Sequence, residues 1–126
     1  MYMYILEALS LLPGKPYPAT ELQAVSVSYR EVVISFTPGS SGGRPQSITC
    51  EYRNLDSNVY LTGPSRQYPV DYYRTSEISI SDDLTPNTEY LVALVSDNDV
   101  TSGRPSYSQQ FTVTTRGLIY MYKRLN

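Results

Sequence analysis

The stretch Asp83-Leu84-Thr85-Pro86-Asn87-Thr88-Glu89-Tyr90-Leu91-Val92-Ala93-Leu94 sets a turn directly in front of an alternating apolar run that opens on a tyrosine. Pro86 fixes its own φ and Asn87 tolerates a left-handed backbone, so the pair carries turn chemistry. Tyr90, Val92 and Leu94 then recur with the period of two that places every second side chain on one face of a strand. A tyrosine that starts a strand just after a corner can bond its hydroxyl back to the backbone upstream and pin the crossover between two sheets. The segment points to a β-sandwich and gives Leu84, Pro86 and Tyr90 structural roles.

The same pattern extends from about Pro16 to Thr115: short alternating runs punctuated by Gly, Pro, Ser, Asn and Asp, which predict seven strands. The first covers Leu22 to Tyr29. In the second, Val32, Ile34 and Phe36 face inward and Val33, Ser35 and Thr37 outward. A flexible turn, Pro38-Gly39-Ser40-Ser41-Gly42-Gly43-Arg44-Pro45, leads to a third strand with Ile48, Cys50 and Tyr52 inward. Asn54 to Arg74 fits one or two strands around Gly63-Pro64. Glu77 to Ile80 forms a short strand with Ile78 and Ile80 inward. The tyrosine-led strand follows, and Tyr107 to Thr115 closes the sheet with Phe111 and Val113 inward.

Composition limits what such a domain can do. The 126 residues suit one domain able to bury a core, and 13 tyrosines suit pleated surfaces. A formal net charge of −2, with ten Lys and Arg scattered along the chain, offers no broad attraction to a phosphate backbone, so nucleic acid is not an expected partner. No apolar run reaches the roughly 18 to 20 residues of a membrane helix, and no Asn-x-Ser/Thr sequon is present. The lone Cys50 cannot form an internal disulfide and leaves the redox compartment open.

Taken in order, Pro18 with Leu22, the run Val32 to Pro38, Ile48-Thr49-Cys50-Glu51-Tyr52-Arg53, Leu84 to Tyr90 and Ser106 to Thr115 resemble the fibronectin type III domain over most of the chain. The resemblance implies a seven-stranded antiparallel immunoglobulin-like β-sandwich over residues 15–116. It also implies a non-enzymatic protein-binding or spacer module of an adhesion, matrix or cell-surface receptor protein, and an extracellular location. An intracellular scaffold of a muscle-type giant protein, or an accessory domain of an enzyme such as a receptor tyrosine phosphatase, would use the same fold. Phe36 stands where the family usually has tryptophan, and Ile48 where tyrosine is common; the smaller Phe36 calls for compensation from large neighbours such as Tyr52 or Tyr90.

Residues 1–14 and 117–126 do not continue the domain pattern and are rich in Tyr, Met, Leu and Ile. They read as non-domain tails, possible translated intron flanks around a domain-sized exon, or else as extra paired elements. Glu7 and the missing basic start argue against a secretory signal over Met1 to Leu12.

Catalysis finds little support, since the chain has no histidine for an imidazole triad or a histidine metal site. Cys50 on an inward strand face reads as an inert small hydrophobe. Asp82-Asp83 reads as a solvated pair at a turn. Asp97-Asn98-Asp99 supplies too few oxygens for calcium, and Gly42-Gly43-Arg44 lacks the lysine and helix of a phosphate loop. No catalytic, metal or cofactor site is expected. Two features suit protein binding. One is the loop expected over Ser96 to Ser106, with Asp97, Asp99, Val100 and Arg104; its Ser102-Gly103-Arg104-Pro105 is not the integrin Arg-Gly-Asp motif. The other is the outward face of the sixth strand, where Leu91, Ala93 and Val95 are apolar on a face that should meet water, which calls for a cover: a neighbouring domain, a partner, a tail of this chain or simply Tyr and Thr neighbours.

Overall fold

The computed structural model describes residues 14–81, 83–100 and 105–117. The two tails before Gly14 and after Gly117, together with Asp82 and Arg104, lie outside the described residues. Eight strand segments follow one another: β1 (Thr20–Val27), β2 (Val32–Thr37), β3 (Gln46–Asn54), β4 (Leu61–Tyr68), β5 (Ser76–Ile80), β6 (Glu89–Asn98), β7 (Ser106–Tyr107) and β8 (Phe111–Thr114). They form two antiparallel sheets, one ordered β1-β2-β5 and the other β4-β3-β6-β7, with β8 also pairing β6.

The core lies between the sheets and is built from the alternation visible in the sequence. Val32, Ile34 and Phe36 from β2, Ile78 and Ile80 from β5, Ile48, Cys50 and Tyr52 from β3, and Tyr90, Val92 and Leu94 from β6 are all buried. The outer face of β2 departs from expectation, because Ser35 is buried too. β2 is the middle strand of its sheet, so Gln23 and Glu77 flank Ser35 on both sides.

Phe36 meets a different ring from those expected. Tyr68 stands edge-on to it with centroids 6.3 Å apart, and Tyr72 leans on Tyr68 at 5.2 Å. Tyr52 and Tyr90 pair with each other at 6.1 Å instead. The reason is register: Tyr68 lies opposite Gln46, at the same end of the sandwich as Phe36, whereas Tyr90 lies opposite Asn54 at the far end.

The corner before β6 has the expected form. Asn87 is left-handed at φ 52°, and the Tyr90 hydroxyl accepts a hydrogen bond from the Thr85 N–H at 2.7 Å. Thr115, directly after β8, locks the same corner: its Oγ1 donates to the Thr85 carbonyl at 2.6 Å and accepts from the Thr88 N–H at 3.0 Å. Leu84 packs against the core, and the Pro86 carbonyl accepts from the Thr88 hydroxyl at 2.9 Å.

Three boundaries differ from the sequence reading. β1 begins and ends two residues earlier, because Ser28 closes a turn, its Oγ accepting from the N–H groups of Arg30 and Glu31. The ambiguous middle is a single strand, β4, on the sheet edge. Gly63 and Pro64 sit at a register shift where they jointly oppose Cys50, so the missing N–H of Pro64 breaks no regular ladder. The closing run is two short strands rather than one. Ser108 interrupts it: its Oγ accepts from the Leu94 N–H at 2.8 Å while its own N–H donates to the Leu94 carbonyl at 2.9 Å. Phe111 is consequently only half-buried, while Val113 is buried.

Replacing Tyr90 with Phe should cost about 1–2 kcal/mol by orphaning the Thr85 N–H. Phe36→Ala should cost about 3–5 kcal/mol by leaving a cavity beside Tyr68. Urea unfolding of both variants against the parent chain checks the order; a Tyr90→Phe loss near zero would remove the corner bond from the account.

Candidate protein-binding surfaces

One end of the sandwich gathers four pieces of chain: the lead-in from Gly14 to Ala19, the β2–β3 loop, the β4–β5 loop and the end of β6. Backbone bonds hold the first two together, from the Gly14 N–H to the Gly42 carbonyl and from the Tyr17 N–H to the Ser40 carbonyl, both 2.8 Å. Gly42 sits at φ 75°, and a Cβ there would run into the Gly14 carbonyl, so both its backbone angle and its neighbour require glycine. Asn98 ties in the end of β6. Its Nδ2 donates to the carbonyls of Gly14 at 2.8 Å and Ser41 at 2.9 Å, and its Oδ1 accepts from the Val100 N–H at 3.1 Å. Ser106 donates to the Pro16 carbonyl, and the Ser41 hydroxyl accepts from the Asp71 N–H at 3.3 Å.

On this frame Arg44 and Asp99 make a two-pronged ion pair, Nε to Oδ1 at 3.0 Å and Nη2 to Oδ2 at 2.6 Å. The hydrogen bond from Arg44 holds the Asp99 carboxyl below its ordinary value. The same bond and the carboxylate charge raise Arg44. Asp97 and Asn98 are not loop residues, because the β3–β6 ladder runs on through Ser47–Asp97 and Gln46–Asn98. Asp97 lines a cleft with Arg44, Pro45, Ser47 and Gln67. The structure thus brings Asp97 and Asp99 to one cleft and puts the exposed Val100 beside them.

The second surface is the outer face of the five-stranded sheet. Leu91 pairs across with Arg53 and Thr112, Ala93 with Glu51, and Val95 with Thr49 and Tyr107. Arg53 donates to the Ser57 carbonyl at 2.8 Å and lies over the Tyr60 ring, 5.5 Å from its centroid. The Tyr60 hydroxyl accepts from Gln110 Nε2 at 2.9 Å, joining the β4 side of the sheet to the β8 side. Neighbours on the sheet therefore take up most of the apolar strip: Ala93 is 3% exposed and Val95 8%, while Leu91 is half-buried. The large apolar side chains left open here are Tyr107 and Tyr60.

Sequence reading singled out Asp97, Asp99 and Val100 as binding candidates but not Arg44, Asn98, Tyr60 or Tyr107, which the structure places beside them or on the sheet face. Arg44 and Asp99 are 55 residues apart, and no local pattern signals such a pairing. Asn98 carried a signal in retrospect, since it sits two residues beyond Ser96 on the inward period of β6.

Antiparallel pairing, the split into β1-β2-β5 and β4-β3-β6-β7/β8, and the tyrosine corner together decide the architecture. The fold is that of a fibronectin type III domain. Solved structures agree. The chain matches the twitchin kinase region from C. elegans with a TM-score of 0.62 at 15% identity, over 82% of the chain and 17% of that structure. It matches titin domains A168 to A170 at 0.61 and 17%, over 81% and 32%. For the FN1–FN3 domains of chicken contactin the values are 0.59 and 19%, over 82% and 33%. In sequence the chain is 30% identical over 106 residues to nephrin from Rattus norvegicus, and likewise to nephrin from Mus musculus. Those alignments cover 82% and 83% of the chain but only 8% of each nephrin. No family model matches the chain. A fibronectin type III sandwich of this kind is thus a small part of the long modular proteins it resembles.

Cys50 tests how tightly the fibronectin type III core is closed. Burial pushes its thiol up to about 12, so a thiol reagent at pH 8 should leave the native domain unmodified and label it fully in denaturant. Prompt labelling of the native protein would show an open core. The Arg44–Asp99 pair is solvent-exposed, so Asp99→Asn should barely move the melting temperature. Because the Asp99 carboxyl is lowered on folding, its contribution is complete above the ordinary carboxylate value and fades as pH falls through the folded one. The Arg44 side-chain Nε–H resonance, followed from pH 6 to pH 2 in parent and variant, reads this directly.

Proposed function

We propose that the domain is a non-enzymatic protein-binding and spacing module of a larger modular protein at the cell surface. The observation that carries the reading is the locked loop end. Gly14, Gly42, Ser41 and Asn98 fix three chain segments to one another, so the Arg44–Asp99 pair, Asp97 and Val100 are presented without the entropy cost of ordering a free loop on binding. Arg104 continues that loop in sequence. The outer sheet face offers a second contact through Leu91, with Ala93 and Val95 contributing mainly to its support. The partner is a protein or a neighbouring domain of the same chain.

Placement at the cell surface follows the likeness to nephrin and contactin. A scaffold inside the cell is the second reading, which the buried lone Cys50 permits and the likeness in fold to titin and twitchin supports.

Full-length transcript sequencing tests the modular reading. Reading frames that join further sandwich domains on both sides support it, and a signal with a membrane span in the flanking sequence supports the cell surface; tandem modules without either support the second reading. Binding is tested by screening the purified chain against an array of cell-surface ectodomains. Capture lost in the Asp99→Ala, Val100→Ser double variant but kept in Leu91→Ser assigns the loop end. The reverse pattern, with an unchanged melting temperature, assigns the sheet face. A transcript that encodes no further domain, with no capture by any ectodomain, overturns the proposal.

A further inference from the structure

The inner face of the five-stranded sheet changes character toward the loop end. Along β6 the inward series Tyr90, Val92, Leu94 continues as Ser96 and Asn98, and along β3 the series Tyr52, Cys50, Ile48 ends in Gln46. Gln46 is 1% exposed and Ser96 0%, so both side chains have left water. Gln46 lies directly opposite Asn98, and Ser96 opposite Ile48, which makes Gln46 and Ser96 diagonal neighbours on one face. Diagonal positions stand about 7–8 Å apart at Cα, within reach of a glutamine side chain.

The amide of Gln46 has a fixed orientation. Its Nε2 donates to the Gly39 carbonyl at 3.0 Å, and turning it over would set Oε1 against another acceptor. Oε1 is therefore committed to the opposite direction, where it can only accept. Among the described residues neither Gln46 Oε1 nor Ser96 Oγ has a hydrogen-bond partner, and the hydroxyl of Tyr68, the other residue opposite Gln46, has none either. Buried polar groups are almost always paired, because one left unpaired in a core keeps the full penalty of leaving water. Serine is also the polar member of an inward series that holds valine at 92 and leucine at 94.

We propose that this end of the core holds one enclosed structural water, which donates to Gln46 Oε1 and is hydrogen-bonded to Ser96 Oγ. Water is the ligand the chemistry selects: it supplies the donor that Oε1 lacks and serves a hydroxyl as donor or acceptor. Because Gln46 also holds Gly39, the water completes a path from the middle strands of the sheet to the β2–β3 loop that carries Arg44.

The test is a crystal structure of the full chain at a resolution that shows ordered water, together with oxygen-17 relaxation dispersion in solution on the parent and on Ser96→Val. The expected result is a single oxygen about 2.7–3.0 Å from both Gln46 Oε1 and Ser96 Oγ, with one fewer long-lived water in Ser96→Val. A direct Ser96 Oγ–H bond to Gln46 Oε1 with nothing between them overturns the proposal, as does an unchanged count of long-lived waters in a folded Ser96→Val. Should that variant fail to fold, the parent crystal decides alone.

Discussion

β3 and β6 pair over nine consecutive positions, from Gln46–Asn98 to Asn54–Tyr90, without one register shift. Every other feature of the domain hangs on that ladder. A slip of β3 by a single residue would turn Ile48 and Cys50 out of the core and bring Thr49 and Glu51 in, and burial of Glu51 would be severely unfavourable. The hydrophobic alternation on both strands thus selects one register. That register then sets Asn98 beside the β2–β3 loop and Tyr90 beside the corner.

The two ends of the ladder are closed by different chemistry. At the Tyr90 end, a ring pair with Tyr52, the Thr85–Tyr90 bond and Thr115 make a compact knot around one corner. At the Asn98 end, the apolar series gives way to Gln46, Ser96, Asn98, Ser41 and Ser106, which join segments as far apart as Gly14 and Asn98. Apolar packing tolerates small shifts in geometry, whereas a polar web admits few arrangements. The loop end is consequently the more exactingly positioned of the two, although it lies farther from the centre of the core.

What could be read from sequence follows the same division. Period-two alternation predicts β2, β3, β5 and β6 and their inward residues, because a strand between two sheets must hide one face and its pattern is local. The corner at Tyr90 was legible for the same reason. The Phe36–Tyr68 contact was not, since it depends on how the sheets stack and on β4, whose Gly63-Pro64 hid it as a strand. The break at Ser108 replaces a backbone partner with a side chain, and nothing in Tyr107 to Thr115 announces that. At the candidate surfaces, the composition of Asp97, Asp99 and Val100 was visible, but the pairing of Asp99 with Arg44 and the Tyr60–Gln110 link across Leu91 arise only from tertiary contact.

Pro64 has a consequence for a protein that strings such domains together. Neighbouring copies along one chain meet at high local concentration, and an unprotected outer strand invites them to zip into a shared sheet. On β4 that hazard meets a residue with no N–H to offer and a local bulge that distorts the strand. A side chain of no evident use to binding or core thus blunts the open edge of this sheet, the kind of protection that would let such domains stand in line and still fold one by one.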